Sequence, residues 1–90
     1  MRVAWFMGQH FVYVIESERD ASYYVGSTHN VRHRLVQHND GWTRSTKSKR
    51  PWKVVHVEEF ACKSDALRRE KAIKRMKSRR YIELLIAGTK

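Results

Sequence analysis

Ninety residues suit one domain, and a chain this short buries only about 60–65% of its unfolded surface, so its core is small. Hydrophobic residues make up 41%, which argues against disorder, and no apolar run approaches the roughly 18 residues that span a bilayer. A single cysteine, Cys62, excludes an internal disulfide and fits a reducing, cytoplasmic setting, while nineteen Lys and Arg against nine Asp and Glu leave a formal net charge of +10.

Residues 1–9 read as a lead-in to one domain over 10–87. The apolar stretch from Val3 to Met7 is too short for the hydrophobic region of a signal peptide. Strands are expected over about 10–16 and 22–26, joined across the polar residues 17–21 as a hairpin. A four-residue loop over 17–20 would set Glu16 opposite Ala21 and Tyr13 opposite Tyr24. Two phenol hydroxyls would then stand side by side on one face of the sheet. Aromatics are common in strands, so the pair does not decide anything alone.

Asn30 is a good N-cap for a helix over about 31–39, ended by Gly41. On a helical wheel Val31 and Leu35 form an apolar stripe, with Arg34 and His38 together along its border. The two lie one turn apart where core meets surface, a position open equally to a solvated helix face. His29, His33 and His38 invite a zinc reading, but His33 and His38 diverge on the helix and no acid or cysteine joins them.

Residues 40–51 are polar, basic and closed by Pro51, as in a surface loop. Trp42 and the cations Arg44, Lys47, Lys49 and Arg50 suit a nucleic-acid backbone and an unpaired base, or simply a solvated loop. A third strand is expected over 52–58. Ser64 is placed to cap a helix over 65–77, and Arg79 to Ala87 suggests another. Ala66, Leu67 and Ile73 mark the apolar face of the 65–77 helix, and Glu70 falls in the middle of it. An inward carboxylate is costly unless paired or bound to a cation. Arg34 or Lys77 could pair with it, or it could ligate a divalent metal, since one carboxylate plus phosphates and waters is a common way to hold Mg²⁺. Trp52, Tyr81, Ile82, Leu85 and Ile86 read as packing residues, and Tyr23, on the opposite pleat from Tyr24, as packing or surface. The order β-β-α-β-α-α implies an α+β fold, a small three-stranded, mainly antiparallel sheet flanked by helices.

Charge is uneven along the chain. Residues 32–53 carry seven Lys and Arg against Asp40 alone, and residues 63–80 carry nine against Asp65 and Glu70. This is the footprint of a protein that meets a polyanion, with nucleic acid as the first reading. A membrane surface would call for large apolar anchors that the basic helices lack.

Taken together, these residues resemble the GIY-YIG nucleases. The likeness rests on Tyr13, then YVGSTHNVRHRLVQHN at 24–39, RP at 50–51, VHVEEF at 55–60 and ALRREKAIK at 66–74. It is strongest to small stand-alone bacterial members, distant relatives of the catalytic domain of the repair excinuclease subunit, and covers about residues 10–80. The resemblance implies a divalent-metal-dependent endonuclease using one Mg²⁺ or Mn²⁺, with DNA favoured over RNA. It implies Tyr13 as general base, Tyr24 as its neighbour at the phosphate, and Gly26 as a close-approach point. It implies Arg34 at the transition-state charge, His38 in proton transfer or at the phosphate, and Glu70 as metal ligand, with Lys71 and Lys74 beside the loop cations as substrate contacts. Tyrosine is a weak base at neutral pH, so the base role calls for cations that lower its pKa. One departure stands out: Phe11 replaces the first motif's Gly, two positions before Tyr13. A non-catalytic nucleic-acid-binding module on the same fold is the alternative, and a basic protein-interaction adaptor a third. A domain this small could need a partner protein or a second copy to cut both strands.

Overall fold

At the centre of the computed structural model, which describes residues 9–88, runs strand β1 (His10–Ser17). It is flanked by β2 (Tyr23–Thr28) and β3 (Trp52–Phe60) in an antiparallel sheet of order β2-β1-β3. Helix α1 (Val31–Asn39) follows β2, and α3 (Lys63–Met76) and α4 (Arg79–Ala87) follow β3. The fold is α+β, with the order expected from the sequence and one added turn of helix, α2 (Arg44–Lys47). Apart from Gln9, the lead-in expected over residues 1–9 lies outside the described residues.

Helices on both sides bury β1 on both faces. Val12, Tyr13, Val14 and Ile15 are all 0–1% exposed, and side-chain alternation divides them between two cores. Val12 and Val14 join Val25, Ala66 and Ile73 under α3, with Tyr23, Tyr81, Ile82 and Leu85 packed against them. Tyr13 and Ile15 join Trp52 on the opposite side, with Tyr24, Val54 and, from α1, Val31 and Leu35. A register shift opposite Val14 and Ile15 turns β3 there. Beyond it, His56, Glu58, Arg69 and Tyr81 form a hydrogen-bonded chain that ties β3 to α3 and α4. The bidentate Arg69 guanidinium and then His56 hold the Glu58 carboxyl below its ordinary range.

The hairpin loop is longer than a four-residue turn. Ser17 Oγ accepts from the N–H groups of Arg19 and Asp20, Asp20 Oδ1 accepts from Ser22 N, and Ala21 takes a left-handed φ of 64°. These side-chain bonds stabilise an extended turn, and Glu16 pairs with Tyr23 rather than with Ala21. Asn30 caps α1 as expected, its side chain accepting from His33 N at 3.0 Å, and Gly41 beyond the helix has φ +86°. The cap of α3 differs: the helix starts two residues early, with Cys62 at the N-cap position and no side-chain bond, so Ser64 lies inside it. Lys77 ends α3 in the left-handed conformation, and Ser78 caps α4 through Tyr81 N.

Leu67 also departs from its place on the helical wheel. It is 38% exposed, whereas Ile73 is 2% exposed against the sheet. Ile73→Ala is expected to lower unfolding free energy by about 2–5 kcal/mol, the usual range for emptying a core site, and Leu67→Ala by under about 1 kcal/mol. Urea denaturation of the two variants checks the contrast.

Candidate active site

Tyr13 projects from the middle of β1 toward α1, and the residue opposite it on β2 is Gly26. A Cβ on Gly26 would lie 2.5 Å from the Tyr13 hydroxyl and 2.7 Å from Cζ, so the phenol occupies the space of the missing side chain. Gly26 therefore serves by giving room to Tyr13. The two-residue shift in register leaves both tyrosines on one face, because side chains alternate with period two. They meet diagonally, with ring centroids 6.5 Å apart, instead of side by side. Tyr24 also packs edge-on against His38 and Trp52, at 5.0 and 6.5 Å between centroids.

Beneath these rings His38 is fully buried. Its Nε2 lies 2.8 Å from the Tyr13 hydroxyl, and its Nδ1 lies 2.9 Å from Thr46 Oγ1. Burial, and then the Arg34 charge, push the His38 pKa below its ordinary value, so the ring is neutral at neutral pH. Burial pushes the Tyr13 phenol up to about 12, with Arg34 pulling the other way and losing. The cations expected to make Tyr13 a ready base are thus outweighed by desolvation.

Arg34 stands one turn before His38, half-buried, and donates to Gln37 Oε1 at 3.2 Å. Its Nε is buried with no hydrogen-bond partner among the described residues, an uncommon state for a guanidinium donor beside a candidate site. An open groove of about 480 Å³ runs from Arg34 and Ser27 past Thr28, His29 and His33 to His10.

Glu70 lies on the α3 face of the sheet, the same face as Ser27, which is two residues beyond Val25. Its Oε1 accepts from Ser27 Oγ at 2.8 Å and its Oε2 from Lys74 Nζ at 2.7 Å. Neither Arg34 nor Lys77, the partners expected, holds it. Lys74 Nζ also lies 5.8 Å from the centre of the Tyr24 ring. Among the described residues no group of three His, Cys, Asp or Glu stands together, so the protein offers a lone carboxylate with a hydroxyl beside it. Both carboxylate oxygens are engaged, so a hard divalent cation would have to displace Lys74 and draw its other ligands from substrate and water.

Residues 9–82 match the family model described as the GIY-YIG catalytic domain. The chain belongs to the GIY-YIG family. It is 34% identical over 83 residues to a UPF0213 protein of Staphylococcus saprophyticus, covering 91% of this chain and 100% of that protein. It is 42% identical over 69 residues to a UPF0213 protein of Listeria innocua, covering 76% of each. The solution NMR structure of a UPF0213 protein from Bacillus halodurans superposes with a TM-score of 0.58 at 33% identity, covering 90% of this chain and 85% of that one. GIY-YIG domains are a nuclease superfamily.

This GIY-YIG domain brings Tyr13, Tyr24, Gly26, Arg34 and His38 into one cluster, with Glu70 at its rim. Phe11 is half-buried on the Tyr13 face, opposite Thr28 and Glu59. The basic segment is more folded than a loop. Arg44, Lys47 and Lys71 are exposed, as is Trp42 at 72%. Lys49 instead reaches Ser22 and Asp20, tying the segment to the hairpin, and Arg50 bonds back to Lys47 O. Sequence reasoning missed Thr46, and it missed Asn39, whose side chain accepts from Trp52 N at 2.6 Å and donates to Trp52 O at 3.1 Å. A threonine in a polar run carries no signal of burial, and an asparagine at a helix end reads as a stop.

Gly26→Ala is expected to displace the Tyr13 ring and lower stability by about 1–3 kcal/mol, measurable by denaturation. The pH dependence has a definite sign. His38 takes up a proton more readily unfolded, at about 6.5, than folded. Stability should therefore fall as pH drops from about 6.5 toward the depressed folded value, and should be flat above that range. Thermal melts of the protein and of His38→Gln between pH 4 and 8 check this, the variant losing part of the acid-side slope.

Proposed function

We propose that this domain is a divalent-metal-dependent endonuclease that hydrolyses phosphodiester bonds, with DNA the favoured substrate. The observation that carries the reading is the buried Tyr13–His38 pair beside an arginine whose Nε lacks a partner. Pure binding of a polyanion needs surface charge; it does not need a phenol hydrogen-bonded to a neutral imidazole within the core.

In this reading Arg34 receives the non-bridging oxygens of the scissile phosphate on the outer nitrogens of its guanidinium and opposes the charge that develops there. Tyr24, half-buried and held by ring contacts, orients the phosphate from the other side. Glu70 would hold a Mg²⁺ or Mn²⁺ ion, which would supply Lewis-acid polarisation of the phosphoryl group. Lys74 must turn from Glu70 when the cation binds, and its exposed ammonium is then placed to meet a phosphate. Tyr13, which keeps its proton at neutral pH, works as a relay. For this a water must enter beside the buried phenol with the substrate; it gives its proton to the Tyr13 oxygen while Tyr13 passes its own to His38 Nε2. Arg44, Lys47 and Lys71 hold the strand by phosphate contacts that carry no sequence information, and Trp42 is placed to stack on an unpaired base.

Supercoiled plasmid incubated with Mg²⁺ or Mn²⁺ should be nicked, and EDTA should stop the reaction. Glu70→Ala and Tyr13→Phe should each lower the rate by about 100-fold or more. Tight, salt-sensitive binding of DNA and RNA without cleavage of either would point to a binding module instead.

A further inference from the structure

Thr46 sits within the single turn of α2 and is 0% exposed, although its neighbours Ser45 and Lys47 face solvent. Its hydroxyl lies 2.9 Å from His38 Nδ1 and donates to Thr43 O at 3.2 Å. Its own carbonyl accepts from Trp52 Nε1 at 2.8 Å, which fixes the turn against β3. We propose that Thr46 is the positioning residue that sets the tautomer of His38, leaving Nε2 as the acceptor of the Tyr13 proton. The catalytic part of this inference rests on the nuclease reading.

The argument counts hydrogens. Tyr13 is 1% exposed, so its hydroxyl hydrogen needs a buried acceptor. Arg34 is a donor only, and the side-chain hydrogen bond of the Tyr13 hydroxyl is the one to His38. His38 Nε2 at 2.8 Å fills the need, provided that it carries no hydrogen. The hydrogen of the neutral ring is then on Nδ1, and it points at Thr46 Oγ1. A hydroxyl has one hydrogen; Thr43 O, which also accepts from the Thr46 and Lys47 N–H groups at 3.1 and 3.0 Å, is 3.2 Å from Oγ1 and can share it, which leaves an Oγ1 lone pair for Nδ1–H. Every donor in the chain Tyr13, His38, Thr46, Thr43 is used once and in one direction. The reverse tautomer would strand the phenol hydrogen in the core and break the bond to Thr43 O. Depression of the His38 pKa by burial and by Arg34 keeps a second proton off the ring. When Tyr13 gives up its proton, Nε2 gains it, and the Nδ1–H bond to Thr46 steadies the imidazolium that results.

The test is two-bond ¹⁵N–¹H NMR of the histidine rings in the whole chain, read beside steady-state cleavage of plasmid. The unmodified protein is expected to show His38 with hydrogen on Nδ1. Thr46→Val removes the acceptor at nearly constant shape and leaves Nδ1–H unpaired, so the Nε2–H form should appear beside the Nδ1–H form that Tyr13 still favours. It should also lower kcat by about 10–100-fold with KM little changed, in the range for groups that orient another ligand or base. Thr46→Ser, which keeps the hydroxyl, should restore both. Hydrogen on Nε2 in the unmodified protein would overturn the inference, and this measurement needs no variant to fold. An unchanged tautomer in a folded Thr46→Val would overturn it too. Failure of the protein to cut any substrate would sink the nuclease reading while the tautomer measurement still decides the role of Thr46.

Discussion

Burial of β1 on both faces is the constraint from which the rest follows. Helices on each side leave Val12, Tyr13, Val14 and Ile15 out of contact with water, and three of the four are purely apolar. The fourth carries a hydroxyl, and a buried hydroxyl without a partner costs about 1–3 kcal/mol. His38 satisfies it from α1, Thr46 satisfies His38 from α2, and Trp52 holds Thr46 through its indole N–H. One polar atom in the central strand thus ties together the hairpin, the first helix, the turn that follows it and the start of β3. The fold and the candidate chemistry are therefore not separable here. Tyr13 and His38 are core residues and reactive groups at once.

The edge strand divides the labour. On one face of β2 lies the aromatic and imidazole cluster, and on the other lies α3, whose Glu70 accepts from Ser27 on that same face. Gly26 is where the two sides come closest, because it has no side chain and the Tyr13 ring lies over it. The groove toward His10 opens at that edge, lined by Ser27 and Arg34. Lys74 balances the carboxylate, which explains how an acid in a strongly basic domain rests part-buried. The remaining exposed cations provide the long-range field, and salt should weaken it readily.

Much of this was legible in the sequence, and the failures have physical causes. Period-two and helical spacing assigned Tyr13, Tyr24, Arg34 and Ile73 to the right faces. His38, expected at the border of core and surface, is instead fully buried because it pairs with Tyr13 and Thr46. Spacing did not set the hairpin register. Ser17 and Asp20 lengthen the turn by bonding to its backbone, and no local propensity rule weighs that against a four-residue loop. The wheel placed Glu70 inward but could not name its partner: the i,i+4 lysine, Lys74, was within reach and was read as a substrate contact. Residues 40–51 were the largest gap. Their polar composition describes a solvated loop, yet Thr46 is buried because an imidazole beneath it needs a hydrogen-bond partner, a tertiary demand with no sequence period. The cations expected to activate Tyr13 are present, but distance and water screen all except Arg34, while desolvation acts on the phenol directly.

The central claim is that Tyr13 is a buried phenol locked to His38, and tyrosine titration addresses it directly. With ¹³Cζ-labelled tyrosine, the four tyrosines can be followed separately by NMR from pH 8 upward. The account predicts that one resonance, assigned to Tyr13 by its loss in Tyr13→Phe, titrates near 12. If Tyr13 instead titrates with an ordinary phenol at about 10, it is solvated, and the account is wrong at its centre.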